Sequence, residues 1–196
     1  MVICLLLGKI IVKSPEHNLT LDISSPSYIR PPFSGPYFKE TPLSLGYLAG
    51  MAPSDVDFEL IDMEQGDNPG YDRGNVDLVA LTVRTPVANT AFRIADEFRK
   101  QGIKVVMGGP HPTLLPEECK GHSDAVCIGE GEEAWPAMLE DLARGDLKDY
   151  YVGGPHAVSH LKGRIRRFPA RSDLRNLSTP RRGLFPPGRY KLNGLF

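Results

Sequence analysis

Three short loops contain the residue types expected of a site for a large polar ligand. They are Thr82-Val83-Arg84-Thr85, Gly108-Gly109-Pro110-His111-Pro112-Thr113 and Gly129-Glu130-Gly131-Glu132, each directly after an apolar run. Glycine pairs let a bulky ligand approach the backbone closely, because no Cβ atom stands in the way. Threonine hydroxyls and backbone N–H groups can hold amide or phosphate oxygens. A tight turn capped by His111 would explain one such loop, but three in succession favour ligand binding.

The third loop also matches the dinucleotide-binding fingerprint, through Gly129, Gly131 and Ala134. Three glutamates within 130–133 would repel a pyrophosphate at this position. Glutamates in a first helical turn instead stabilise the helix through its dipole. The unit is also the last of the sheet, whereas the fingerprint normally opens the first one. We therefore assign Glu132 and Glu133 a structural role at the helix start and do not expect NAD or FAD at this loop.

The histidine and cysteine patterns do not predict a metal site. His156 and His160 are four residues apart, but they follow two glycines and a proline and have no acidic or thiol neighbour in sequence. Cys119 and His122 form an equally incomplete pair. The chain has three cysteines, an odd number without paired spacing, which is typical of reduced thiols in the cytosol. No Ser/His/Asp order or pair of carboxylates indicates a hydrolase.

Short apolar runs alternate with amphipathic segments, which predicts stacked βα units and a parallel sheet. The predicted strands are 19–23, 58–61, 78–82, 104–107 and 125–128, and the predicted helices are 42–51, 88–101 and 132–144. In the second helix Ala91, Ile94, Ala95 and Phe98 recur at helical spacing and predict its buried face. The fold class is therefore α/β, a Rossmann-like or flavodoxin-like doubly wound and mainly parallel five-stranded sheet with helices on both faces. Ligands of such sheets bind beyond the carboxyl ends of the strands.

Charge divides the chain into two parts. Residues 161–196 contain ten Lys or Arg and the single acid Asp173, which gives them a net charge of +9. Since the whole chain has a net charge of −1, residues 1–160 have a net charge of −10. Four prolines in this tail favour a connector that docks on an acidic neighbour over an RNA-binding arm. We predict an amino-terminal arm or edge strand at 1–17, an α/β domain at 18–150 and a basic connector at 151–196.

The quoted loops and the segments between them resemble a known family. The resemblance is carried by 77–85, 105–113, Pro116-Glu117-Glu118, Asp124-Ala125-Val126 and 129–132, whose order and spacing are distinctive. Together they resemble the amino-terminal B12-binding (cobalamin-binding) domain of radical S-adenosylmethionine (SAM) proteins, over 41–144. The upstream Pro31-Pro32 and 41–48 fit the usual opening of that domain, and 180–190 is similar to the lead-in to its iron–sulfur core.

The resemblance implies a cofactor and a partner domain. It implies that the thirteen loop residues Thr82 to Thr85, Gly108 to Pro112 and Gly129 to Glu132 contact cobalamin, whose nucleotide tail enters the fold. No Asp-x-His-x-x-Gly motif follows 19–23, so we expect no histidine from that loop as the lower cobalt ligand. Cys4, Cys119 and Cys127 cannot form the Cys-x3-Cys-x2-Cys set that holds a 4Fe–4S cluster. We therefore expect the cluster and SAM in a catalytic core of the same parent chain, which acts on a small molecule by methyl transfer or oxidative cyclisation.

Other readings stay open at this point. The domain could have lost the cofactor and serve as a docking or substrate-binding module, since Arg84 is bulky enough to obstruct a corrin. It could instead belong to a tRNA-modifying radical SAM protein, although we do not expect nucleic acid as the partner. A phosphate-receiver domain is disfavoured because the strand at 78–82 ends in Leu81-Thr82 without an aspartate. The apolar run at 1–12 contains Lys9, is too short to span a bilayer and lacks a cleavage site, so we expect a cytoplasmic protein.

Overall fold

The fold is built on a sheet whose strands pair in a simple order. A computed structural model describes residues 3–4, 9–13, 42–63, 67, 70, 76–153, 158–159, 166–167, 175 and 178–188, with backbone alone at 3–4, 9–13, 158–159 and 166–167. Within these residues the main sheet has seven strands, β1 (Ile3–Cys4), β2 (Lys9–Lys13), β3 (Glu59–Leu60), β4 (Val76–Thr82), β5 (Lys104–Gly108), β6 (Ala125–Gly129) and β7 (Tyr150–Gly153). Their order is β1-β2-β4-β5-β6-β7, with β3 also paired to β2.

Four parallel strands form the centre of the sheet. They are β4 (Val76–Thr82), β5 (Lys104–Gly108), β6 (Ala125–Gly129) and β7 (Tyr150–Gly153), each paired to the next. Apart from Cys127, the central residues of β4, β5 and β6 are buried, as expected of parallel strands covered on both faces. Val152 of β7, at the edge of the sheet, is 39% exposed. The predicted α/β class with a mostly parallel sheet is confirmed, and the predicted strands at 78–82, 104–107 and 125–128 match β4, β5 and β6 to within two residues.

The amino-terminal side of the sheet is antiparallel. Strand β2 (Lys9–Lys13) pairs with β1 (Ile3–Cys4), with β3 (Glu59–Leu60) and with β4. The predicted strand at 58–61 therefore exists in a shorter form. For residues 1–17 the sequence predicted either an arm or an edge strand. In the structure they contain β1 and β2. The predicted strand at 19–23 lies outside the described residues.

Helices cover both faces of the sheet. They are α1 (Leu43–Met51), α2 (Ala88–Lys100), α3 (Pro110–Leu114), α4 (Pro116–Gly121) and α5 (Gly131–Ala143). Helices α1 and α5 contact each other on one face, whereas α2 to α4 pack against β4, β5 and β6 from the other. The predicted buried face of α2 is confirmed, since Ala91, Ile94, Ala95 and Phe98 are all 2% exposed or less. Glu117 and Glu118 lie in the first turn of α4, and Glu132 and Glu133 in that of α5, as their helix-starting roles require.

The carboxyl-terminal part adds a short hairpin and a docked segment. Strands β8 (Val158–Ser159) and β9 (Arg166–Arg167) pair antiparallel in a separate sheet. Residues 178–188 contain a 3₁₀ turn at Arg182–Leu184, and Leu184 and Phe185 pack against the domain core. His156 and His160 lie outside the described residues. Among the described helices, none combines the length and apolar character needed to cross a bilayer.

Strand β7 was not predicted from the sequence, and it crosses the predicted domain boundary at residue 150. A buried carboxylate attaches it to α5. Asp141 of α5 accepts hydrogen bonds from Tyr151 Oη at 2.8 Å and Lys148 Nζ at 2.8 Å, and it contacts Arg144. The bonds from Lys148 and Tyr151 lower the pKa of the Asp141 carboxyl. Burial and the bond to Asp141 raise the pKa of Tyr151 to about 12.

We expect Asp141→Asn to destabilise the protein at neutral pH but not in strong acid. Because the folded pKa of Asp141 is lowered, its contribution is present above the unfolded value of about 3.9 and is lost as the pH falls through the folded value. The difference in melting temperature between wild type and variant should therefore be greatest near pH 7 and shrink below about pH 4. Thermal denaturation across this range measures it, with the exposed Glu140→Gln as control; a pH-independent difference would contradict the electrostatic explanation.

Candidate functional site

The loops that follow the parallel strands are joined into one rim by backbone hydrogen bonds. Val83 N donates to Gly108 O at 2.8 Å, and His111 N donates to Val83 O at 3.0 Å. At the far side, Glu130 N donates to Gly153 O at 2.9 Å. Since parallel strands end at the same edge, the three loops lie side by side along the sheet.

Gly109 and Thr113 fix the middle loop in place. Gly109 has φ = +100°, and a Cβ atom there would lie 2.9 Å from Thr82 Cγ2 and 3.2 Å from Val83 N. The Thr113 hydroxyl donates to Gly109 O at 2.9 Å and accepts from Gly129 N at 2.9 Å. The loop after β5 is therefore tied to both of its neighbours and could not accept a side chain at Gly109 without movement.

Beneath this rim lies a mostly apolar pocket of about 300 Å³. It lies between the sheet on one side and helices α1 and α5 on the other. Its lining consists of Ser44, Tyr47, Leu48 and Met51 from α1; Ala80, Leu81 and Thr82 from β4; Val106 to Pro110 from β5 and its loop; and Cys127, Gly129 to Glu132, Trp135 and Met138 from β6, its loop and α5.

The pocket exists because small residues occupy one face of the sheet near its carboxyl edge. Thr82 pairs with Gly108 across β4 and β5. The face of the sheet that carries Gly108 also carries Cys127, because a Cβ atom on Gly108 would lie 3.4 Å from Cys127 Cβ. Two residues further from the carboxyl edge, Ala80 pairs with Val106 on the same face. Helix α5 closes the far wall, where Trp135 Nε1 donates to Leu48 O of α1 at 3.0 Å.

Eight of the thirteen residues that the sequence assigned to the ligand line this pocket: Thr82, Gly108, Gly109, Pro110, Gly129, Glu130, Gly131 and Glu132. The other five, Val83, Arg84, Thr85, His111 and Pro112, are not among its lining residues. Val83 is fully buried within the rim, and Thr85 is exposed at a 3₁₀ turn beyond it. The assignment of all thirteen to the ligand stays a prediction.

His111 faces away from the pocket, into a cluster at the α2 side of the sheet. It is 3% exposed, its Nδ1 lies 3.3 Å from Thr85 Oγ1, and its Nε2 lies 3.2 Å from Glu118 Oε2. Phe92 packs against its ring at a centroid distance of 5.9 Å and stacks on His122 at 4.4 Å. Both nitrogens of His111 therefore have neighbours outside the pocket, which is the arrangement of a histidine that holds a loop in place.

Two thiols of the domain are kept neutral by their surroundings. Burial, with a smaller effect of the Glu132 charge, raises the pKa of Cys127 to about 12. Burial and Glu118 raise the pKa of Cys119 to about 12 in the same way. Both therefore stay protonated at neutral pH, where a thiol is a weak nucleophile. The side chain of Cys4 lies outside the described residues.

Sequence reasoning missed the helical walls of the pocket. Trp135 and Met138 read simply as core residues of α5, and α1 carries no polar motif that marks it as a binding helix. A signal was available in the sequence. Ala80 and Thr82 are two residues apart and so lie on the same face of their strand, and the next two strands end in Gly108 and Gly129, which places small residues on one face of the sheet. Over the described part of the chain, no three His, Cys, Asp or Glu side chains come together as a metal site.

Comparison with known proteins gives a consistent result. Residues 36–139 match the family model described as "B12 binding domain", which is more than half of the chain. A bacteriochlorophyllide d C-8(2)-methyltransferase of Chlorobaculum tepidum is 41% identical over 109 residues, which are 56% of this chain and 24% of that protein. A bacteriochlorophyllide d C-12(1)-methyltransferase of the same organism is 38% identical over 110 residues, with the same coverage of both chains.

A third relative matches over a longer stretch. An uncharacterised methyltransferase of Pyrococcus horikoshii is 32% identical over an alignment of 171 positions, which covers 79% of this chain and 36% of that protein. The chain thus spans about a quarter to a third of the length of these relatives.

We expect Gly109→Ala to destabilise the protein by about 1–3 kcal/mol, because the left-handed backbone and the contact with Thr82 both penalise a Cβ atom. The control is Gly102→Ala, which has φ = +78° but open space around it. Urea denaturation of the two variants separates backbone strain from steric clash. Equal losses of unfolding free energy would show that the packing of Gly109 against the rim contributes nothing.

Proposed function

Because the chain belongs to the family of B12-binding domains, we propose that it binds cobalamin and presents it to the catalytic core of a methyltransferase-type enzyme. The pocket at the carboxyl edge of the sheet is the observation that carries this proposal. It opens where α/β sheets generally bind ligands, and eight of the residues that the sequence assigned to the cofactor line it. The methyltransferase relatives support the class of the parent enzyme.

The size of the pocket suits one part of cobalamin rather than the whole molecule. A volume of about 300 Å³ is of the size that holds a heterocycle with its sugar, but the corrin macrocycle is too large for it. We propose that the nucleotide tail enters between the sheet and helices α1 and α5. The corrin would then be bound at the rim, where Gly108, Gly109 and Gly129 leave the backbone free of side chains.

The residues of this chain bind and orient the cofactor. Leu48, Met51, Trp135 and Met138 would supply apolar contacts that exclude water from the tail. Thr82, which also lines the pocket, would supply a hydroxyl for its polar groups. When bound, cobalamin supplies a cobalt centre that carries a methyl group. His111 is not among the lining residues, and its Nδ1 lies 3.3 Å from Thr85 Oγ1, so we do not assign it to the cobalt.

The parent protein is the finer part of the proposal. We propose that a radical SAM core of the same parent chain, with a 4Fe–4S cluster and SAM, follows the domain at 18–150 and the basic connector at 151–196. Its substrate would be a small molecule, methylated or oxidatively cyclised. The identity of the substrate would depend on that core, because the present pocket is directed at the cofactor.

One observation favours a second candidate function. Two carboxylates, Glu130 and Glu132, line the pocket, and they would repel the phosphate of a nucleotide tail. A module that has lost the cofactor and holds a substrate or docks a partner would tolerate these charges. The two functions differ in whether the isolated chain retains a corrin.

We expect the purified chain to bind hydroxocobalamin and co-elute with its corrin absorption in gel filtration. Trp135 is the single tryptophan and lines the pocket, so its fluorescence should be quenched on binding. Gly108→Leu should weaken binding at least about tenfold, or 1.4 kcal/mol, because its side chain would enter the pocket. Gly121→Leu is the control, since Gly121 faces open space.

Two outcomes would count against the proposal. Corrin that elutes without any protein would favour the cofactor-free module instead. Equal affinity of the wild type and Gly108→Leu for hydroxocobalamin would show that the corrin binds outside the pocket.

A further inference from the structure

The segment 178–185 docks on the outer side of α1, the helix whose inner side lines the pocket. It lies about 40 residues beyond the end of the family match at 139. Arg181 N donates to Gly46 O at 2.9 Å, and Phe185 and Pro180 pack over Gly46. The segment is therefore attached to the domain by both backbone and side-chain contacts.

Arg181 makes the most extensive of these contacts. Its guanidinium donates to Val56 O at 3.2 Å and Pro53 O at 3.3 Å, and it lies 5.1 Å from the centroid of the Phe58 ring. Both carbonyls belong to the turn that follows α1. A planar guanidinium can serve two carbonyls and an aromatic face together, which an ammonium group does less well.

Two glycines of α1 make the close approach possible. Gly46 and Gly50 are four residues apart and so lie on the same side of the helix. A Cβ atom on Gly50 would lie 2.3 Å from Thr179 O, and one on Gly46 would lie 3.1 Å from both Pro180 and Phe185. Glycine costs helix stability relative to alanine, but here it admits the docked backbone.

We propose that segment 178–185 is a clamp that positions α1 and thereby sets the width of the pocket and its affinity for the ligand. The proposal rests on the proposed function for the identity of that ligand, cobalamin. Helix α1 is nine residues long and touches the clamp on one side and the pocket on the other. Loss of the clamp would let α1 move outward, away from Trp135, which is bonded to Leu48 O.

The test uses two variants that release the clamp by different means. Arg181→Ala removes the guanidinium contacts, and Gly50→Ala displaces Thr179 while it raises the helix propensity of α1. The matched controls are Arg182→Ala, at an exposed neighbouring arginine, and Gly121→Ala, at a glycine in open space. Arg181→Lys should give an intermediate result, because the charge remains but the planar fork is lost.

Two measurements are needed: Trp135 fluorescence reports the position of α1, and a titration reports the affinity for the ligand. Without ligand, both clamp variants should shift the Trp135 emission to longer wavelength and increase its quenching by acrylamide, because its bond to Leu48 is weakened. Titration with hydroxocobalamin should give a Kd about five- to tenfold higher, at the lower end of ordinary coupling between sites. Both controls should match the wild type.

The outcomes separate this proposal from the function it rests on. Clamp variants that melt earlier but keep wild-type Trp135 emission and affinity would overturn it, since the segment would then only add stability. A wild type that binds no corrin would overturn the proposed function and the affinity part of this inference. The emission of Trp135 would still decide whether the clamp positions α1.

Discussion

The in-register pairing of four parallel strands is the constraint on which the site depends. It brings the ends of β4, β5, β6 and β7 to one edge and aligns Thr82 with Gly108. Side chains alternate between the two faces of a strand, so a slip by one residue would turn Met107 toward the pocket face in place of Gly108. The pocket beneath the rim therefore depends on the register between β4 and β5 as much as on the presence of glycine.

Helix α1 links this space to the rest of the chain. Its sequence, LSLGYLAGM, contains no charged residue, and a helix that is apolar on all sides requires cover on all sides. The sheet and α5 cover one side, and segment 178–185 covers another. The domain is thus completed by residues that lie well outside the family match at 36–139.

Burial and charge determine the chemical state of the side chains around the pocket. The Cys127 thiol at the pocket is held neutral, and His111 is engaged by Thr85 and Glu118 on the other side of the sheet. The glutamates at the start of α5 favour its amino terminus but bring negative charge to the pocket mouth. Such a site can bind and orient a ligand, and the Cys127 thiol that lines it is protonated at neutral pH.

The α/β class, the buried face of α2 and three of the parallel strands could be predicted from the sequence, because periodicity and β-branched runs are local properties of the chain. The sequence also indicated the rim, since glycines directly after strands mark close approach of backbone. It did not reveal β7, whose apolar run of Tyr150 to Val152 is short and followed by two glycines that resemble a linker.

Which loop residues face the pocket depends on how the chain packs in three dimensions. His111 and Gly109 are two positions apart, yet the first points toward Phe92 and the second lines the pocket, because the left-handed backbone at Gly109 redirects the loop. The walls formed by Leu48 and Trp135, 87 residues apart, and the docking of Arg181 on α1 are likewise long-range contacts. Their partners are set by packing across the fold, and no local pattern of residues encodes them.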